Sequence, residues 1–136
     1  MLLLGAQFVR LGAPPPEAAG ELVAAPSVDA VLRSACFDCH SNHTRWPWYG
    51  YVAPFAWLLE HDVSAGRARL NFSQWDAYAS DPETAHHKLE EIRAAVAGGQ
   101  MAPWYYRLLH ADARLTATQR DLLIDWARSA GSPPPS

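Results

Sequence analysis

The chain reads as an all-α fold, on three observations. Apolar residues recur at helical spacing in several separate stretches, capping residues stand in front of those stretches, and no stretch carries a convincing strand pattern. A length of 136 residues, 49% of them hydrophobic and six of them tryptophan, is enough for one packed domain. The net charge is −3, and ten arginines with a single lysine, Lys88, form no basic stripe. Nucleic acid is therefore not an expected partner.

Residues 1–12 open with the apolar run MLLLGAQFVR. It is shorter than the ~20 residues a spanning helix needs, and it lacks the positive lead of a secretory signal. It reads as the remnant of an export signal or membrane anchor. Residues 13–26, with Pro14-Pro15-Pro16, read as a stiff linker without a packing pattern of its own. Ser27 is the expected N-cap of a first helix, whose stripe is Val28, Val31, Leu32 and Ala35. That helix leads directly into Cys36-Phe37-Asp38-Cys39-His40.

This stretch has the C-x-x-C-H form that attaches a c-type haem. Thiols three residues apart leave one side of a helical turn, so both can reach the two vinyl groups of one haem. His40, next in line, can offer an imidazole nitrogen to the iron. The chain has no other cysteine, hence no disulfide elsewhere and no second C-x-x-C to complete a zinc site. A thioredoxin-type motif would follow a strand, not a helix.

Residues 41–51 form an aromatic loop broken by Pro47 and Gly50, and Trp46 and Trp48 are the expected walls for a haem. Pro54 can open a second helix, with Phe55, Leu58, Leu59 and Val63 on its buried face and Gly66 near its end. Arg67 is the candidate partner for a haem propionate, with Arg69 weighed beside it. Ser80, Pro82 and Glu83 mark a third helix start. Leu89, Ile92 and Val96 line its inner face, and Gly98-Gly99 stop it. Residues 100–106 read as irregular. Thr116 with Gln119 forms a capping box for the last helix, which turns Leu122, Leu123 and Trp126 inward and ends near Gly131. Residues 132–136 are a loose tail, so the domain proper spans residues 27–131.

An electron-transfer haem needs a second axial ligand. Met101 is the only methionine besides Met1, and a thioether opposite a histidine raises the reduction potential. The predicted iron ligands are thus His40 and Met101. His61, on the second helix, and His110, before the last, stay open as rivals. His43 is too close to His40 to reach the opposite haem face, and His86 and His87 lie on a polar turn.

The order of helix, C-x-x-C-H, amphipathic helix, Gly-rich loop with Met and final helix resembles a class I cytochrome c. The chain is most similar to the cytochrome c-like haem-binding domain family of bacterial, membrane-anchored proteins. The likeness rests on residues 36–48 (CFDCHSNHTRWPW), 66–75 (GRARLNFSQW) and 101–106 (MAPWYY). It implies one covalent haem c on Cys36 and Cys39, His40 as proximal ligand and Met101 as distal thioether. The family's loop commonly reads Met-Pro-Pro, where this chain has Ala102. The resemblance also implies that residues 2–8 belong to an anchor.

The leading expectation is a monohaem electron carrier, not an enzyme. It would be periplasmic, tethered to the cytoplasmic membrane, and docked weakly by redox protein partners at the exposed haem edge. The alternative is a haem-based sensor or weak peroxidase with a labile distal ligand, against which Met101 argues. A zinc module on Cys36, Cys39 and His40 or His43 lacks an evident fourth ligand.

Overall fold

The computed structural model describes residues 14–131, and the expectations for residues 1–12 and for the tail lie outside the described residues. Every regular element among the described residues is helical, so the fold is all-α. Seven α-helices follow in order: α1 Pro26–Ala35, α2 Phe37–His40, α3 Phe55–Arg69, α4 Trp75–Ala79, α5 Pro82–Ala97, α6 Trp104–Leu109 and α7 Ala117–Ala130. Short 3-10 turns cover Trp48–Tyr51, Phe72–Gln74 and Ala111–Ala113.

Several boundaries differ from the sequence reading for identifiable reasons. The cap of α1 is Ala25 rather than Ser27, because Pro26 takes the first helical position, where no N–H is needed. The cap of α5 is Asp81 rather than Ser80, its carboxylate accepting from Thr84 N–H at 3.1 Å. The capping box of α7 forms as expected, Thr116 and Gln119 each accepting from the other's backbone N–H. Residues 104–106, expected to be irregular, open the helix α6 behind Pro103.

The second helix departs most. Gly66 lies near its end as expected, in the last turn, with α3 continuing to Arg69. The buried face is Ala56, Leu59, Glu60 and Val63, while Phe55 and Leu58 are exposed. The backbone of α2 decides this. A Cβ on Gly66 would stand 2.6 Å from the Cys39 carbonyl oxygen, so the helices approach at a point only glycine permits.

The core joins Val28, Val31 and Leu32 of α1 to Phe37, Leu70, Phe72, Leu89, Ile92, Val96, Leu123 and Ala127. Phe37 stacks on Phe72 at 5.2 Å. Leu22 also belongs to this core at 7% exposure, which corrects the reading of its stretch as a spacer with no packing. Its N–H donates to Phe72 O and that of Ala19 to Ser73 O, both at 2.9 Å. The strand-like strap satisfies backbone groups that the Phe72–Gln74 turn would otherwise leave open.

Candidate functional site

Because Cys36 N–H donates to Leu32 O at 2.8 Å, the helical path of α1 is carried into the motif. His40 N–H then donates back to Cys36 O at 3.0 Å, closing the turn that carries both thiols and the imidazole. Cys36, Cys39 and His40 all line one cleft. Leu70, Phe72, Ile92, Val96, Pro103 and Tyr106 form its apolar walls, and Met101 stands on it too. Its cavity volume is about 90 Å³, and it opens to solvent at its mouth.

His40 is oriented by the main chain of α3. Its Nδ1 lies 3.1 Å from the carbonyl oxygens of both Gly66 and Leu70. Two acceptors at one ring nitrogen require that nitrogen to carry the proton. Nε2 therefore keeps its lone pair, the tautomer a metal-binding histidine needs. Burial pushes the imidazole's pKa below its usual value, so it stays neutral, although the two carbonyls pull the other way.

The thiols are protonated. Burial, with the charge of Cys39 second, pushes Cys36 up to about 12. Burial, then Asp38 and Asp62, pushes Cys39 up to about 11. No group of three or more His, Cys, Asp or Glu residues among the described residues could hold a metal ion.

The loop after His40 is pinned from beneath. Ser41 is fully buried, its hydroxyl donating to Phe37 O at 2.7 Å. Asn42 accepts from Asn71 Nδ2 at 2.9 Å, and Asn71 accepts in turn from Ser73 N–H at 2.9 Å. Asp38, inside the motif, takes two side-chain bonds from Arg45, at 3.1 and 3.0 Å. Tyr106 adds its hydroxyl at 3.4 Å.

Three of the predicted cofactor contacts are placed elsewhere. Arg67 donates to Ser41 O and to Thr44 Oγ1, both at 2.8 Å, and so braces the motif's loop instead of lining the cleft. Arg69 lines it and pairs with Glu91 at 3.2 Å. Trp48 is 81% exposed and off the cleft, because its turn buries Gly50 against Leu59 and leaves the indole outside. Trp46 is half-buried against that same turn, also off the cleft.

The rival histidines are likewise not at the cleft. His61 is exposed. His110 hydrogen-bonds the Tyr49 hydroxyl and stacks on Tyr106 at 3.9 Å. Among the histidines only His40 lines the cleft. Sequence reasoning missed Leu70, Phe72 and Tyr106 as walls. The buried stripe Ile92 and Val96 was the available signal, since one face of α5 serves both core and cleft.

The residues present therefore suit a haem: an apolar cleft, two protonated thiols, and a neutral imidazole held by its far nitrogen. A family model described as a haem-binding domain matches residues 1–129. No curated protein and no solved structure matches the chain.

Proposed function

The chain belongs to the haem-binding domain family, and from that premise we propose that it is a monohaem c-type cytochrome carrying electrons between redox proteins. The observation that carries this reading is His40, whose Nδ1 is tied to Gly66 O and Leu70 O on a residue that lines the cleft beside both thiols. Cys36 and Cys39 would each add S–H across one vinyl group. The new C–S bond takes the sulfur, and the proton goes to the neighbouring vinyl carbon, so no oxidant is consumed. Protonated thiols suit this addition.

Haem, once held, supplies a one-electron iron couple whose potential a His–Met ligand pair raises. His40 is the proximal ligand in this reading and Met101 the distal one. Met101 lines the cleft, whereas His61 and His110 do not. That supports a carrier over a sensor or peroxidase, because no distal histidine is at hand to act on a bound small molecule.

Partners would dock weakly. Trp48, Tyr51, Phe55, Trp104, Leu108 and Leu109 are exposed. Apolar surface of this kind marks protein contact. The protein would work outside the cytoplasmic membrane, where such haems are attached, held there through residues 1–12. No helix among the described residues is long and apolar enough to cross a membrane.

Expression with a haem-attachment system tests the reading. The mature protein is expected to be red, to gain the mass of one haem, and to lose that mass in the Cys36→Ala/Cys39→Ala variant. Its ferric form should show the weak near-infrared band of an iron–thioether bond, absent in Met101→Ala. A colourless protein holding zinc on the same cysteines would overturn the haem c assignment. An unchanged low-spin spectrum in Met101→Ala would move the distal role to a histidine.

A further inference from the structure

Of the nine arginines in the described chain, Arg67 is held by Ser41 O and Thr44 Oγ1, and the other eight fall into two groups. Arg33, Arg45, Arg69, Arg93 and Arg128 each pair with a carboxylate within 4.0 Å. Arg107, Arg114 and Arg120 have no such partner among the described residues, and all three line a single second pocket of about 480 Å³. No Asp or Glu lines it. Arg120 Nε is buried with no hydrogen-bond partner among the described residues, a costly state for a guanidinium nitrogen. Arg114 is fixed in place, since its Nε and Nη2 donate to the carbonyls of Arg107 and Leu108 at 2.7 and 3.3 Å.

We propose that this pocket is a carboxylate-binding site, with Arg107 and Arg120 as the anion's direct partners and Arg114 positioning the end of α6. Guanidinium forks match a carboxylate in shape and charge. Trp104 and Leu108 give the pocket apolar walls, so the ligand is an organic acid with an apolar body rather than a bare inorganic anion. Met101 and Val96 line this pocket and the first cleft alike. The site therefore lies behind the proposed iron ligand. The carboxylate has two sources of the same chemistry: a free small organic acid, or the propionates of a haem seated in the first cleft. Only the second source rests on the proposed function.

The experiment compares the mature wild-type protein with Arg107→Gln/Arg120→Gln, using benzoate as the probe and neutral benzamide as its control. Calorimetry reads binding, and a redox titration reads the reduction potential. If a free acid is the ligand, benzoate binds the wild type, benzamide does not, and the double variant binds at least about tenfold more weakly, the worth of one charge-assisted hydrogen bond. If the propionates fill the site, benzoate fails to bind the wild type. The variant's reduction potential then falls further than that of Arg93→Gln/Arg128→Gln, because losing cations beside the haem favours the more positive ferric state. Benzoate binding by a colourless protein would uphold the site while removing the haem c reading. Arg107→Lys/Arg120→Lys, which keeps the charge and loses the fork, should also weaken binding, and serves if the glutamine pair does not fold. Equal benzoate affinity in wild type and variants, or no binding together with an unshifted potential, overturns the proposal.

Discussion

On the Cys36–His40 side of the cleft, the polar groups are held by buried partners, whereas Met101 across from them is 42% exposed at the start of a Pro-containing turn. His40 is tied to two α3 carbonyls, and Ser41, Asn71 and Ser73 are nearly without solvent contact. The motif side is thus set by the folded chain itself. The opposite side offers an unbranched, polarizable thioether that can adjust to what it meets. In the proposed reading, an iron ligand fixed by the main chain and another free to adapt would divide two tasks, orientation and closure.

Substitutions can break this contrast. The largest effect is expected from Asn71→Ala. It strips Ser73 N–H and the Asn42 side chain of buried partners, at a cost of about 2–5 kcal/mol in urea unfolding. A loss near zero would mean that the buried polar set does not hold the motif. Gly66→Ala comes next. Its Cβ would meet the Cys39 carbonyl at 2.6 Å, and overpacking of this kind costs about 1–3 kcal/mol. Unchanged unfolding would show that α2 and α3 can separate freely.

Acid should act on the motif side as well. His40 is held below its usual pKa by burial, so the unfolded chain, near the ordinary ~6.5, takes up the proton first. The haem-free protein is therefore expected to keep this stability above pH ~6.5 and to lose it as pH falls through the depressed folded-state value. Unfolding midpoints measured across that range check the slope, and His40→Gln should flatten it. The smallest effect belongs to Met101→Ala, expected to change stability by less than about 1 kcal/mol, as exposed positions do, despite its spectral consequence. A larger loss would make Met101 a packing residue and weaken the contrast.

Much of the fold was legible because its signals are local. The stripe Leu89, Ile92 and Val96, the Thr116–Gln119 box and the helical approach to Cys36 each depend on neighbours within about two turns. What was not legible in the sequence depends on distant partners. The burial of Leu22 comes from the Phe72 backbone, the outward pose of Trp48 from Gly50 against Leu59, and the placement of Arg67 from Ser41 and Thr44. Arg67 and Arg69 are two residues apart on a helix and so face different ways. Choosing between them requires knowing which face meets the motif.

The amino-acid sequence alone was sufficient for the helical class, for one C-x-x-C-H segment with its thiols on one turn, and for Met101 as a candidate far from it in the chain. Those conclusions need only spacing and residue chemistry. Tertiary structure decided that Gly66 packs against the Cys39 carbonyl, that its carbonyl and that of Leu70 select the His40 tautomer, and that three arginines without a carboxylate partner among the described residues share a pocket behind Met101. The physical reason is range. A helical turn is written in adjacent residues, but the face it presents and the partner each polar atom finds are settled only when segments many residues apart pack together.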